Sequence, residues 1–564
     1  MIKHDSEDVW CRSAKKLMNV PWRINTPVYE ALKAEKDWFL PPPDEDATEL
    51  EWKRWYSRDS FWWRLLRTAD EWVGKVFYQR IKTDYRGRVY YMDPNMNIQG
   101  IDWSRGFYEF ANGKPMTPDG EYWLAIHTAA SFDQEYSIDD IPSWCETDYH
   151  TYLSSEGLDT ISVAKFTLND RVRWTNENME VIIDAGRERV FADEAEKPVA
   201  FLACCIEWYN ISKADGEYIS HLPIPIDGSN NGWQHLGAMS RDTQTGELVG
   251  LVAKEIQKDF YVQTAKQLLE IDDPKLNAMH MKHIRKGISK RGSMTRAYSA
   301  GWATMAKNMW NDCRTEGFDE EYKITQVDCE RWAKELIKAI NKVCPGPLET
   351  MKYMQNLASY EIGTYEKYRD GKPARSAFST LQKELKDIWE VPAEERDTNR
   401  LNDILDELKK FETVRVKGNG NTKLRWSTPS GFPVVYENWY TEDLKCKGTI
   451  LGKRITHNLK IYTDRPDVRG FMSGISPNYV HSMDAAHMAL VIDQFDGDFG
   501  AVHDSFSTHA CDVDKLLRVT KETFVDMYDV NNYFNTIRND ITRCTDDIEQ
   551  PSICLLYTSP SPRD

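Results

Sequence analysis

A chain of 564 residues exceeds a single hydrophobic core and is expected to divide into subdomains. Its 41% hydrophobic content, with 20 Trp, 27 Tyr and 20 Phe, supplies ample packing material. Eleven cysteines with no C-x-x-C pair argue against a zinc site or disulfide framework and for a reducing compartment, and no apolar run is long enough to cross a bilayer. The net charge of −17 excludes a broadly sticky polyanion-binding surface, so any phosphate site must be local.

Residues 1–40 alternate basic and apolar positions and predict helix, closed by a linker at Pro41 (P-P-P, then D-E-D). Trp and Arg at helical spacing over 48–80 predict a long amphipathic helix or hairpin. D-Y-R-G-R-V-Y-Y from Asp84 predicts a turn into a strand, with Gly87 permitting close backbone approach. Residues 115–214 read as mixed and mostly helical. The apolar run L-P-I-P-I then ends at Asp227, a strand end or turn, and 250–269 predicts one amphipathic helix. The stretch 325–412 reads as helical, its charge-dense second half a peripheral insertion. V-K-G-N-G-N-T-K from Val416 predicts a loop, and 423–475 alternates like strands and hairpins. The segment from Gly474 enters a helix. F-G-A-V before His503 predicts a second strand ending in a hairpin, followed by a last helix near 513–530. There is no internal repeat.

Between Pro274 and Asn311 there is no Asp or Glu, yet Lys275, Lys282, Arg285, Lys286, Lys290, Arg291, Arg296 and Lys307 are present. A basic stripe in an acidic chain reads as one local anionic site; the plainer reading is a solvated helix face. Lys286, Lys290, Met294 and Tyr298 fall at i, i+4, i+8 and i+12, one stripe of a helix, although Gly287 and Gly292 weaken it by about 1 kcal/mol each. Lys290 and Lys286 are then expected at a triphosphate and Tyr298 near sugar or base. Arg291 and Arg296 face elsewhere, toward template or backbone phosphates.

Asp227 and Asp504, 277 residues apart, each follow an apolar run. Singly, such aspartates usually cap turns. Side by side they suit two Mg²⁺ ions, with a strand-end carbonyl such as that of Gly228 as a further oxygen ligand. Carboxylates with a Lys/Arg helix are the parts of a nucleotidyl transferase.

The strings D-G-S-N-N-G-W-Q-H from Asp227, K-R-G-S-M-T-R-A-Y from Lys290 and H-D-S-F from His503 resemble motifs A, B and C of the single-subunit DNA-directed RNA polymerases, the phage T-seven and mitochondrial type. Similar stretches are D-Y-R-G-R-V-Y at 84, N-G-K-P at 112, T-P-S-G-F-P-V at 428 and S-P-N-Y-V-H-S-M-D at 476, so the resemblance covers about residues 20–540. It implies a mostly helical α+β right-hand fold with palm, fingers and thumb, and a small antiparallel palm sheet carrying the two aspartates. It implies Asp227 and Asp504 as metal ligands and Lys290 as triphosphate contact and proton donor to pyrophosphate. Lys286, where the family usually has Arg, and Arg291 would bind nucleotide phosphates, with Tyr298 and His481 around the 2′-hydroxyl. Arg88 would support the nascent strand, Tyr261 would stand near the downstream fork, and Arg173 matches a basic family position more loosely.

The implied domains are a remnant of an N-terminal domain (1–45), a short thumb (46–80), palm (81–243 and 481–553) and fingers (244–480). The fingers include a candidate specificity hairpin at 437–470. The implied partners are template DNA, nascent RNA and ribonucleoside triphosphates, with a monomeric enzyme in bacterial cytoplasm, phage-encoded and not secreted. Three departures stand out. Ser299 replaces a usual Gly, the large N-terminal promoter-binding domain is almost absent, and residues 554–564 resemble a translated sequencing adapter. Two alternatives stay open. A related DNA polymerase would carry H-D-E and a Phe-bearing motif B in place of H-D-S and M-T-R-A-Y, and a non-catalytic nucleic-acid-binding fragment is the other. A Ser hydrolase built on His503, Asp504 and Ser505 fails, because neighbours in a strand point to opposite faces and no G-x-S-x-G elbow exists.

Overall fold

The computed structural model describes residues 8–541 except 255, 363, 369–379, 382, 386, 389–396, 410–412, 418–420, 451–452 and 530–531. The 554–564 tail lies outside the described residues. Helices dominate, and the sheets are small and antiparallel.

The first expected helix is broken by a strand. Val9–Met18 and Thr26–Ala34 are helical, but Pro21–Ile24 pairs with Phe77–Tyr78 and Tyr108–Phe110. Trp22 and Ile24 alternate buried with half-exposed Pro21 and Arg23, a period of two that the surrounding helical pattern masks. Thr48 and Glu51 form a capping box at the start of helix Glu49–Asp70, which buries only Trp62, Leu65, Leu66 and Ala69 in its C-terminal half. The 250–269 segment is not one helix. Asp259 caps the helix Phe260–Leu269 by accepting from the Tyr261 and Val262 amides at 2.9 and 3.2 Å, so the preceding decade is irregular.

The long helix Val468–Gln494, started by Asp467, is the structural spine. Its C-terminal carbonyls (Ile492, Asp493 and Phe495) accept from the Lys16 ammonium at 2.7–3.3 Å, and Asp493 pairs with Arg12 at 2.7 Å. A cation at the C-terminal dipole joins the first helix to the spine. The expected strands between 423 and 475 are present. Leu424–Ser427 pairs with Pro433–Tyr436, and Trp439–Ile450 forms a long ribbon with Lys453–Pro466. The start of the predicted loop at Val416 instead closes the strand Thr413–Lys417, paired with Thr364–Tyr368. The expected helix is Val513–Tyr528, and another, Tyr533–Ile541, follows it.

Buried apolar residues form two large clusters. One gathers 20–226 with Ala510 and Val513; the other gathers 233–541. A third, smaller cluster packs the spine's end against Phe499, Ala501 and Phe506. Asp227 therefore stands where the chain leaves one core for the other. Among the described residues, no helix is long and apolar enough to cross a membrane.

Candidate active site

Strand Pro223–Asp227 pairs with Ser505–His509, which pairs with Gly500–Val502, making one three-stranded antiparallel sheet. Asp227 is opposite Ser505, and the Gly228 amide donates to the Asp504 carbonyl at 3.3 Å. His503 and Asp504 are the two residues of the hairpin turn, and His503 takes a left-handed φ of +56°. A Cβ built on Gly228 would lie 3.6 Å from an Asp504 carboxylate oxygen, so the two motif aspartates are neighbours at one sheet edge.

Their environment is hostile to two negative charges. Burial, then Asp484, then Asp227 push Asp504 up to about 7, and burial raises Asp227. A divalent cation would relieve that crowding, and the donors are hard oxygens of the kind Mg²⁺ prefers. Among the described residues, no three His, Cys, Asp or Glu side chains converge as a metal cage. The two aspartates and the adjoining Gly228 backbone are oxygen donors of the kind such an ion takes.

A third carboxylate, Asp484, escaped sequence reading. It lies on the spine, buried, accepting from Arg88 at 2.9 Å through Nε and pairing with it at 2.7 Å, and accepting from the Asn231 amide at 2.6 Å. Arg88 thus has a buried partner and does not stand free at a surface. The available signal was the i, i+3 spacing of His481 and Asp484 on one helix face.

Around the carboxylates the motif residues interlock. The backbone leaves Asp227 through left-handed Asn230 (φ +59°) into helix Asn231–Ser240. Gly232 there meets the Tyr298 ring, and the Trp233 indole donates to the Ser293 carbonyl at 3.0 Å. The Tyr298 ring lies 4.6 Å from the His481 ring. Burial, then Arg88 and Arg86, hold His481 neutral, down to about 3. His235 is buried, engaged with the Tyr528 hydroxyl at 2.6 Å, and is a core residue. The Tyr261 hydroxyl bonds Asn230, and its ring lies under Arg285.

The basic stripe is not one continuous α-helix. Ile284–Ser289 is a π-helical turn, followed by an α-helix only over Lys290–Arg296. Gly287 lies against Phe318 and Gly292 against Leu336, so tight packing on neighbouring helices accompanies the altered winding. The winding changes at the π turn, and Lys286 still lies close enough to Lys290 to help lower its pKa. Lys286 pairs with Glu316 at 2.5 Å and Arg291 with Asp312 at 2.8 Å. Lys275, Lys282 and Arg285 pair with Asp328, Glu135 and Asp259. The counter-charges missing from 274–311 come from outside it. Lys290 has no carboxylate partner among the described residues, and burial beside Arg285 and Lys165 lowers its pKa. Met294 is exposed, and Arg296 donates to the Ala300 carbonyl at 3.2 Å. Arg173 is tied to Glu146 and the Trp144 carbonyl on the helix Leu168–Glu177, outside this cluster.

Residues 114–553 match the family model described as DNA-dependent RNA polymerase. The chain is 28% identical over 476 residues to the chloroplastic/mitochondrial DNA-directed RNA polymerase 2 of Arabidopsis thaliana, covering 80% of this chain and 38% of the relative. It is 26% identical over 479 residues to the mitochondrial RNA polymerase 1 of the same plant (80% and 40%) and 27% over 472 residues to the chloroplastic RNA polymerase 3B of Nicotiana tabacum (80% and 40%). The chain spans about two fifths of the length of these relatives. The expectation of a phage-encoded enzyme in bacterial cytoplasm is corrected by these names, which are those of plant organellar proteins.

Proposed function

This chain belongs to the single-subunit DNA-dependent RNA polymerase family, and from that premise we propose that it extends RNA along a DNA template. Ribonucleoside triphosphates are its substrates, pyrophosphate leaves, and the working unit is a monomer. The observation that carries the reading is the meeting of Asp227 and Asp504 at one sheet edge, with Tyr298 close enough to feel the Asp504 charge.

Asp227, Asp504 and the Gly228 carbonyl would hold two Mg²⁺ ions, which when bound supply activation of the RNA 3′-hydroxyl and neutralisation of the departing phosphates. Lys290 meets the triphosphate. Its ammonium is easier to deprotonate than usual, which suits donation of a proton to the leaving pyrophosphate. Lys286 and Arg291 reach phosphates by exchanging carboxylates for them. Exposed ion pairs of this kind are worth about 0–1 kcal/mol, so a polyphosphate displaces Glu316 and Asp312 at little cost. Tyr298 and His481 stand at the sugar. Arg88 acts from its pair with Asp484, while Tyr261, Arg296 and Arg173 contact the strands around the fork.

The sheet and residues 81–243 and 481–553 form the palm, 244–480 the fingers, 46–80 a short thumb, and 1–45 the remnant of an N-terminal domain. The candidate specificity hairpin at 437–470 holds the paired strands Trp439–Ile450 and Lys453–Pro466. The test is extension of a preassembled RNA–DNA scaffold with Mg²⁺, offered ribonucleotides or deoxyribonucleotides. Ribonucleotide addition supports the reading. Preferential deoxyribonucleotide addition means a DNA polymerase, and scaffold binding without extension means a binding fragment.

A further inference from the structure

Of the two arginines that flank Gly87, Arg86 touches His481, one member of the sugar-facing pair. Arg86 is gripped by Asp84, its Nε and Nη2 donating to one carboxylate oxygen at 2.9 and 2.6 Å. Its Nη1 lies 2.6 Å from His481 Nδ1. A guanidinium has donors only, so Nδ1 must accept and the neutral ring must carry its proton on Nε2. Arg88, held by Asp484, stands near enough to the Tyr298 hydroxyl for their charges to interact. Neither His481 Nε2 nor the Tyr298 hydroxyl hydrogen has a protein acceptor among the described residues.

We propose that Arg86 is a positioning residue for sugar selection, fixing His481 beside Tyr298 as an outward hydrogen-bond donor to a ribose 2′-hydroxyl. The inference rests on the polymerase reading above. A ribonucleotide satisfies that donor with its 2′-oxygen. A deoxyribonucleotide leaves it facing carbon, and a site built to hydrogen-bond a hydroxyl rejects the analogue that lacks it. Asp84 enters as the carboxylate that locks the Arg86 guanidinium, so selection depends on residues about 400 positions from the ring they control.

The experiment measures the ratio of kcat/KM for ribonucleotide over deoxyribonucleotide on a preassembled RNA–DNA scaffold. Both substrates are read with the same preparation, so the folded fraction cancels. Arg86→Met is expected to lower the ratio about tenfold, the scale of one hydrogen bond. Arg86→Lys, which still presents a donor to Nδ1, should hold it within about twofold of the native value. His481→Phe with Arg86→Met should lose no more than His481→Phe alone. An unchanged ratio in Arg86→Met, or full additivity with His481→Phe, overturns the inference. Should Arg86→Met turn over neither nucleotide, Asp84→Asn, which loosens Arg86 without deleting it, gives the deciding ratio by the same criteria. A native chain that adds no nucleotide would bring down the polymerase reading and this inference together, whereas native extension with an unchanged Arg86→Met ratio brings down this inference alone.

Discussion

Gly232 and Tyr298 approach so closely that a Cβ on Gly232 would stand 3.0 Å from the phenol oxygen and ring. The glycine of the D-G-S-x-x-G motif is therefore a contact surface for the tyrosine of the basic motif. Gly232→Ala gains about 1 kcal/mol of helix propensity but overpacks a buried contact at about 1–3 kcal/mol. The expected result is a slightly lowered Tm with ribose selection reduced severalfold, read by thermal unfolding and scaffold extension. Native selection in the alanine variant would show that Tyr298 tolerates displacement.

Ser299 holds a left-handed φ of +64°, and its buried hydroxyl has no hydrogen-bond partner among the described residues. A glycine relieves both the strain of a left-handed backbone bearing a Cβ and the orphaned hydroxyl, at some loss of chain entropy. Ser299→Gly should raise stability by about 1 kcal/mol in a denaturant titration. A destabilised variant would mean that the serine has an unseen partner.

Asp504, pushed up to about 7 by burial and by Asp484 and Asp227, makes stability depend on pH. Its folded pKa lies above the unfolded value near 3.9, so between about pH 4 and 7 the native state binds more protons than the unfolded one. Stability from this group then falls as pH rises through that window and levels above it. Asp504→Asn should flatten the slope and stabilise the fold at pH 8 by about 1–3 kcal/mol while stopping extension. Because cation and proton compete for the carboxylates, raising Mg²⁺ should also move the acid limb of extension to lower pH. A limb that ignores Mg²⁺ would contradict the metal assignment.

Lys286 and Arg291 are each held by one carboxylate, Glu316 and Asp312. Glu316→Gln or Asp312→Asn should lower the nucleotide KM by about twofold to threefold with kcat nearly unchanged, as expected for removing a competitor of ground-state binding. A raised KM would place those carboxylates in service of the substrate.

The motif strings made the family legible, and the apolar runs before Asp227 and Asp504 made both strands legible. What failed was whatever depends on partners distant in sequence. Asp484 reads as one helical acid until Arg88, 396 positions away, is packed on it. The acid-free stretch suggested bare cations, yet Asp312 and Glu316 lie just past its end and return through the helix Trp302–Thr315 and the turn after it. The π turn at Ile284–Ser289, where Gly287 lies against Phe318, is a local change of winding that helical periodicity cannot encode. Trp22 was lost inside a helical pattern because four residues are too few to establish a period of two.

The central claim is that Asp227 and Asp504 form the nucleotidyl-transfer centre, and extension of the preassembled scaffold by Asp227→Asn and Asp504→Asn tests it most directly. The account predicts that both variants bind the scaffold within about threefold of the native chain, since neither aspartate is a phosphate contact. It also predicts that both lose extension by at least about a thousandfold, the scale of a lost transition-state electrostatic contact. Undiminished extension by either variant would contradict it.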